Sequence, residues 1–179
     1  MNNVFLTGFM ATGKTLVGCA LAKRLGRPFV DADVEIEREA GMAIADIFGR
    51  FGEPEFRARE RRTLERLCAL DTAVIATGGG AVIDPRNRAT MRASGMVVCL
   101  TADPGTILGR LGNGVDRPLL ADANGREARI RSLLGERAAA YGDADRIVDT
   151  SRRSAEAVAD AIADWLAGAG AVPARSSPR

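Results

Sequence analysis

The fold of this chain is decided by the segment Val4-Phe5-Leu6-Thr7-Gly8-Phe9-Met10-Ala11-Thr12-Gly13-Lys14-Thr15. Its apolar start is typical of a buried strand, and residues 16–25, which follow it, have the spacing of an amphipathic helix. Between the two lies the pattern Gly-x-x-x-x-Gly-Lys-Thr, in which backbone N–H groups and a helix N-terminus can surround a phosphate. The segment therefore predicts a P-loop that binds a nucleotide.

Two side chains of the P-loop have chemical roles that follow from their types. Lys14 can extend over the loop to the β- and γ-phosphates, and the Thr15 hydroxyl can ligate the Mg²⁺ ion that bridges them. A glycine-rich turn without a ligand is the alternative, but both flanking elements have the order that a P-loop needs. We therefore expect ATP and Mg²⁺, with nucleotide contacts from Gly8, Ala11, Thr12, Gly13, Lys14 and Thr15.

The composition narrows the classes of function. The 179 residues suit one domain, and 46% hydrophobic with 27% charged residues is ordinary for a globular protein. A net charge of +2 with scattered arginines does not indicate a nucleic-acid partner. No apolar run has the length of a signal-peptide core or a membrane span, so we expect a cytoplasmic protein without a membrane partner.

The chain has no histidine, which leaves carboxylates, arginines, Lys14 and Mg²⁺ for any chemistry. Cys19, Cys68 and Cys99 have apolar neighbours and are expected to be buried free thiols.

Short apolar runs alternate with helical segments along the rest of the chain. Strands are expected over 4–6, 28–30, 73–76, 96–100 and 147–149. Helices are expected over 16–25, 34–40, 44–51, 53–70, 85–94, 104–110, 126–141 and 155–166. This order predicts an α/β fold of three layers, a five-stranded parallel sheet with helices on both faces. We expect a single P-loop domain over 1–166, a lid over about 111–124, and a disordered tail over 167–179.

Polar and glycine residues follow the second and third strands, at the edge where open α/β sheets bind ligands. Asp31 and Asp33 end the second strand, and because strand side chains alternate, we expect both carboxylates on one side. Beside a P-loop, one would serve Mg²⁺ and the other a substrate, although Asp33 could instead cap a helix. The third strand leads into Thr77-Gly78-Gly79-Gly80, where the backbone can approach a ligand closely.

Residues 34–62 contain the features of an acceptor pocket. Phe48 and Phe56 lie near Arg57 in sequence, and a charged surface helix does not explain this aromatic pair. The pattern predicts a pocket wall that carries a guanidinium.

The motifs, in their order along the chain, resemble the shikimate kinase family of the nucleoside-monophosphate-kinase-like P-loop fold. They are the P-loop, Asp31-Ala32-Asp33, Phe56-Arg57-x-x-Glu60, Thr77-Gly78-Gly79-Gly80, Arg117-Pro118-Leu119-Leu120, and Glu136-Arg137 with Tyr141. Many families share the P-loop, but the combination of the other motifs is specific, and the resemblance covers all but the tail. Ala11 and Thr15 stand where the family often has glycine and serine, and both changes should preserve function.

The resemblance implies ATP-dependent phosphorylation of the 3-hydroxyl of shikimate, a step of aromatic amino-acid biosynthesis, and we expect a monomer. It implies that Asp31 holds Mg²⁺ through water, and that Asp33 binds the shikimate hydroxyls and acts as the base. The other residues that would bind shikimate are Arg57, Arg137, Gly79 and Gly80, with Glu60 orienting the arginines. Arg117 would reach the transferring phosphate, and Arg110 and Arg153 would flank adenine.

Two alternatives stay open at this point. A small P-loop kinase for another hydroxylated acid, such as gluconate, could use the same arginines, because a guanidinium binds any carboxylate. A nucleotide-binding regulatory module would have a degenerate acceptor site, and the presence of Asp33, Arg57, Arg117 and Arg137 argues against it.

Overall fold

The computed structural model describes residues 2–112 and 125–169. Its strands are β1 (Asn3–Thr7), β2 (Phe29–Asp31), β3 (Val74–Ala76), β4 (Gly95–Thr101) and β5 (Arg146–Asp149). Its helices are α1 (Lys14–Leu25), α2 (Ala32–Ala40), α3 (Ile44–Cys68), α4 (Pro85–Ser94), α5 (Pro104–Leu111), α6 (Arg126–Gly142) and α7 (Ala155–Ala169). A short 3₁₀ turn, Ala81–Ile83, precedes α4.

The strands form one sheet in the order β2-β3-β1-β4-β5, and all neighbouring strands are parallel. β1 is central, so its carboxyl end, where the P-loop begins, lies between the ends of β3 and β4. Ligands bind at this edge in open α/β sheets. The five-stranded α/β fold expected from the sequence is confirmed.

Helices cover both faces of the sheet because successive residues of its strands point to opposite sides. In β1, Phe5 packs with residues of α3, α4, α5 and α6 on one face, while Val4 and Leu6 pack with residues of α1 and α7 on the other. All three are at most 1% exposed. The middle of the central strand is thus apolar on both sides, and its polar end residues, Asn3 and Thr7, are buried.

Helix α3 is broken at Gly52, whose backbone has φ 78° and ψ 173°. This left-handed φ favours glycine, and Pro54 then lies in the first turn of the second segment, where proline is tolerated. The two helices expected over 44–51 and 53–70 are therefore present, with the second ending at Cys68. A small separate core of Ile36, Ile47 and Phe56 holds α2 against both segments.

Some expectations differ from the structure. Cys19 is exposed and Cys68 half-buried, so among the cysteines only Cys99 is buried as predicted, although all three are free. Helix α7 continues to Ala169, so 167–169 belong to a helix rather than to the tail. Of the lid expected over about 111–124, Leu111 is instead the last residue of α5, and residues 113–124 lie outside the described residues, as do residues 170–179. Within the described ranges, no helix has both the length and the apolar character needed to cross a lipid bilayer.

Candidate active site

The P-loop connects β1 to α1 at the centre of the sheet edge. Gly8 has φ 127°, and a Cβ placed there would lie 2.1 Å from the Leu100 carbonyl oxygen, so only glycine fits this approach to β4. Lys14 begins α1, and its Nζ donates hydrogen bonds to the carbonyls of Gly8 over 3.0 Å and Phe9 over 2.9 Å. The amine therefore curls back over the loop, beside the N-terminus of α1. A positive charge and the positive end of a helix thus meet at one place, which favours an anion.

Thr15 and Asp31 bring two oxygen atoms together next to the P-loop. The Thr15 hydroxyl donates a hydrogen bond to Asp31 Oδ2 over 2.8 Å. Mg²⁺ prefers oxygen ligands, and proteins often hold it with one or two carboxylates while phosphates and waters complete its shell. In the described part of the chain, no three His, Cys, Asp or Glu side chains cluster as a metal site. The pair therefore fits an ion that is shared with a phosphate.

The two aspartates of the Asp-x-Asp motif point to different sites. Alternating strand side chains predicted that both carboxylates lie on one side. This prediction is wrong, because β2 ends at Asp31 and Asp33 already lies in the first turn of α2. Asp31 is the helix cap, and its Oδ1 accepts a hydrogen bond from the Asp33 backbone N–H over 3.1 Å. Asp33 instead lies against Gly78, where a Cβ would be 2.8 Å from its Oδ1. One carboxylate thus lies beside the P-loop, and the other lines a second pocket.

This second pocket, the acceptor pocket, lies beside the P-loop and combines charged side chains, aromatic rings and glycine backbone. It is lined by Met10, Asp33, Ile44, Phe48, Phe56, Arg57, Glu60, Gly78, Gly79, Gly80 and Arg137. The rings of Phe48 and Phe56 lie 4.6 Å apart, and the Arg57 guanidinium lies 5.1 Å from the Phe56 ring centre. The aromatic wall with a guanidinium predicted from the sequence is present.

Arg57 is held by two carboxylates of α3. Its Nη1 donates to Glu60 Oε2 over 2.8 Å, and its Nη2 donates to Glu53 Oε1 over 3.0 Å. Burial alone would lower the pKa of Arg57, but Glu60 and Glu53 outweigh it, and the pKa lies above its ordinary value. The Glu60 side chain is 2% exposed, whereas that of Glu53 is 55% exposed. Glu60 therefore holds Arg57 in place. The exposed ion pair with Glu53 contributes little free energy, so Arg57 can give it up for a contact with a bound anion.

Glu60 is a buried carboxylate that faces the acceptor pocket. Burial raises its pKa, Arg57 opposes the rise, and the nearby carboxylates of Asp33 and Glu53 add to it. Its Oε1 accepts no hydrogen bond within residues 2–112 and 125–169, and a Cβ on Gly78 would lie 2.8 Å from it. Only glycine therefore leaves room for the two carboxylates at this point.

Arg137 supplies a second guanidinium from α6. The residue is 9% exposed, and its guanidinium carbon lies 5.8 Å from the Phe9 ring centre. No carboxylate of the described residues forms an ion pair with it. The resemblance implied that Glu60 orients both arginines, and this is wrong for Arg137, because Glu60 pairs with Arg57 alone. A buried arginine without a carboxylate partner favours an anion from outside the chain.

The acceptor pocket and the P-loop touch at Gly79. A Cβ on Gly79 would lie 3.2 Å from the Met10 backbone nitrogen and 3.6 Å from the Gly8 carbonyl oxygen. The backbone of the triple-glycine segment therefore packs directly on the P-loop. A group bound over Gly79 and Gly80 would adjoin a phosphate bound by the P-loop.

A separate cleft adjoins the other side of the P-loop. It is lined by Ala11, Thr12, Gly13, Leu16, Val17, Arg110, Thr150, Arg153, Ser154, Ala155 and Val158. Arg110 donates to the Ala11 carbonyl over 3.2 Å and to the Thr150 carbonyl over 2.6 Å. The Thr150 hydroxyl lies 3.0 Å from the Thr12 carbonyl, so the segment after β5 is tied to the P-loop. Both arginines predicted to flank adenine lie in this cleft.

The sequence model of the shikimate kinase family matches residues 10–167 of this chain. The chain belongs to the shikimate kinase family. It is 48% identical over 164 residues to the shikimate kinase of Geobacter sulfurreducens, which covers 92% of this chain and 90% of that protein. The family resemblance predicted from the motifs is confirmed.

Solved structures place the fold in the same family. Shikimate kinase from Acinetobacter baumannii, in complex with shikimate, has a TM-score of 0.91 and 36% identity, with 96% of each chain covered. A gluconokinase from Sinorhizobium meliloti has a TM-score of 0.54 and 16% identity, with 94% of this chain and 97% of that chain covered, which shows a shared fold alone. The sequence of this chain therefore belongs with the shikimate kinases, whereas the gluconokinase shares only its fold.

The sequence prediction missed three side chains near the predicted site residues: Glu53, Tyr141 and Thr150. Thr150 bonds to a residue 138 positions away, and Tyr141 bonds to one 62 positions away, so no local spacing marks either. Tyr141 was part of a family motif, but its residue type alone gave it no role. Arg117, the predicted lid arginine, lies outside the described residues.

Proposed function

We propose that this protein transfers the γ-phosphoryl group of ATP to the 3-hydroxyl of shikimate, giving shikimate 3-phosphate and ADP. The reaction would be a step of aromatic amino-acid biosynthesis through chorismate. The observation that carries the proposal is the contact at Gly79, where a pocket with two guanidiniums and a carboxylate abuts a P-loop. Membership of the shikimate kinase family supports shikimate as the acceptor.

The two arginines would bind the carboxylate of shikimate. Arg137 has no carboxylate partner in the described residues, and Arg57 can release Glu53, its exposed partner, while Glu60 keeps it oriented. The planar guanidinium suits a carboxylate because it donates two parallel hydrogen bonds. Gly79 and Gly80 would add backbone contacts to the substrate.

Asp33 would hold the reacting hydroxyl and accept its proton. The hydroxyl oxygen attacks the γ-phosphorus, the bond from that phosphorus to the bridging oxygen of ADP breaks, and the proton passes to Asp33. The placement of Asp33 against Gly78, two residues before Gly80, supports this role. Asp31, which faces Thr15, would serve the nucleotide side instead.

Residues of the P-loop and its neighbours would bind ATP. Lys14 would stabilise the charge that spreads over the transferring phosphoryl group, and Arg110 and Arg153 would flank the adenine. When bound by Thr15 and Asp31, Mg²⁺ would neutralise phosphate charge and orient the phosphate oxygens. By the same resemblance, Arg117 would reach the transferring phosphate.

We further propose a cytoplasmic monomer with no nucleic-acid or membrane partner. The net charge of +2 and the scattered arginines support the absence of a nucleic-acid site. Sedimentation of the purified protein with and without ATP would test the monomer directly.

A substrate panel tests the proposed function. The purified protein would be incubated with ATP, Mg²⁺ and one acid at a time, including shikimate and gluconate, while ADP release is followed. We expect rapid turnover with shikimate alone, and phosphorus NMR of the product should place the new phosphate on the 3-hydroxyl. Turnover with gluconate at a similar rate, or none with shikimate, would contradict the proposal.

A further inference from the structure

Tyr141 makes a contact that the proposed chemistry does not use. It lies near the end of α6 and is 7% exposed. Its hydroxyl donates a hydrogen bond to the Gly79 carbonyl oxygen over 2.7 Å. A buried hydroxyl therefore binds the backbone at the point where the acceptor pocket meets the P-loop.

The glycine loop, Gly78 to Gly80, is held from two sides. On one side, the Gly79 backbone packs on the P-loop, with a Cβ position 3.2 Å from the Met10 nitrogen. On the other side, Tyr141 binds the Gly79 carbonyl. The carbonyls of Gly78 and Gly80 accept backbone hydrogen bonds from Ala81 and Ile83, so the Tyr141 hydroxyl restrains the remaining carbonyl of the loop, that of Gly79.

Tyr141 also lies next to the guanidinium proposed to bind the acceptor. It follows Arg137 by four residues on α6, so both side chains share a helix face. Burial raises the pKa of the Tyr141 phenol, and the neighbouring Arg137 opposes part of that rise. The phenol therefore stays protonated near neutral pH and remains a hydrogen-bond donor.

We infer that Tyr141 is a positioning residue for phosphoryl transfer: its hydroxyl fixes the glycine loop relative to the P-loop and to Arg137, and so sets where the acceptor hydroxyl meets the donor phosphate. This inference rests on the proposed function. Tyr141 would not touch the reacting atoms, because its hydroxyl is directed to the Gly79 carbonyl. Tyr141 would affect the rate because the acceptor hydroxyl and the γ-phosphate must be held close to in-line geometry, and a small displacement of either lowers the rate strongly.

A kinetic experiment separates positioning from packing. Tyr141→Phe keeps the ring and removes only the hydroxyl. We expect a higher KM for shikimate and a lower kcat, with kcat/KM for shikimate falling about 10- to 100-fold. ATP affinity without acceptor should keep its parent value. Ser94→Ala is the matched control, because it removes a hydroxyl that bonds the Thr90 carbonyl in α4, away from the site.

Tyr141 is the only tyrosine of the chain, which allows a direct spectroscopic readout. Protein grown with 3-fluorotyrosine would carry its fluorine label only at this position. Addition of shikimate without ATP should shift the fluorine resonance, because acceptor binding over Gly79 acts on the hydrogen-bonded phenol. This measurement reports whether acceptor binding acts on the Tyr141 hydrogen bond, and it does not depend on the folding of Tyr141→Phe.

The outcomes are distinct. Parental kcat and KM in Tyr141→Phe with only a lower melting temperature, or a fluorine resonance unchanged by saturating shikimate, would overturn the inference. A failure of the proposed function would instead be seen in the parent enzyme, as the absence of shikimate-dependent ADP release.

Discussion

The P-loop is continuous in sequence, whereas the acceptor pocket is assembled from separate segments. Residues 8–15, the proposed phosphate site, lie in one loop and one helix start. The acceptor pocket draws Asp33 from α2, Arg57 from α3, Gly79 from the loop after β3, and Arg137 from α6. The first site is therefore specified by local geometry, and the second depends on how four elements pack.

This difference predicts how each region responds to substitution. A change in the P-loop should affect phosphate chemistry and leave the acceptor bound. A change in the acceptor pocket should affect acceptor affinity or transfer, and leave the nucleotide bound.

The largest effect is expected for Lys14→Met. The amine lies over the P-loop, and its charge is most needed in the transition state, so phosphoryl transfer should be abolished. Shikimate affinity, measured by calorimetry, and the circular dichroism spectrum should stay at parent values. Lys23→Met, on the exposed side of the same helix, is the control and should remain active. Near-normal turnover in Lys14→Met would contradict the P-loop assignment.

The two aspartates of β2 and α2 test the boundary between the regions. Asp33→Asn should lower kcat by about 10²- to 10⁴-fold with ATP affinity retained, because an amide cannot accept the proton. Asp31→Asn should instead raise the Mg²⁺ concentration needed for half-maximal turnover, because it alters the oxygen next to Thr15. Identical metal titrations and turnover for the two variants would show that their roles are not divided.

A smaller effect is expected where the cleft is tied to the P-loop. Thr150→Val removes the hydroxyl next to the Thr12 carbonyl and a partner of Arg110. Leaving such buried groups unsatisfied should cost about 1–3 kcal/mol of unfolding free energy. ATP affinity should fall as well, while shikimate affinity stays constant. Thr90→Val on α4 serves as the control, and an equal loss of both affinities in Thr150→Val would contradict the separation of the regions.

The smallest effect concerns the backbone of the P-loop itself. Ala11 has φ 59°, a conformation that costs a residue with a Cβ about 1–2 kcal/mol. Ala11→Gly relieves this strain but makes the unfolded chain more flexible, so we expect a net gain in unfolding free energy of about 1 kcal/mol or less. Ala89→Gly, in the exposed middle of α4, should instead lose about 1 kcal/mol. A loss in Ala11→Gly as large as in Ala89→Gly, by chemical denaturation, would show that Ala11 is not strained.

The same contrast explains what could be predicted from the sequence. The P-loop, the parallel sheet and the break before Pro54 follow from local signals, and each is present in the structure. The contacts of Thr150 and Tyr141 could not be predicted, because their partners are brought close only by sheet order and helix packing. The direction of Asp33 was predicted wrongly for a local reason: β2 ends at Asp31, so the alternation of strand side chains stops there.

The central claim is that two guanidiniums from distant helices bind one carboxylate next to the P-loop. The most direct test is a calorimetric titration of shikimate, and of an analogue without its carboxylate, into the parent, Arg137→Leu and the control Arg129→Leu, an exposed residue of the same helix. Arg137→Leu should lose about 2–5 kcal/mol of shikimate binding free energy. The analogue should bind weakly to the parent and lose little more in the variant, and ATP binding should not change. Equal losses for shikimate and the analogue, or a collapse of ATP binding with shikimate affinity intact, would contradict the claim.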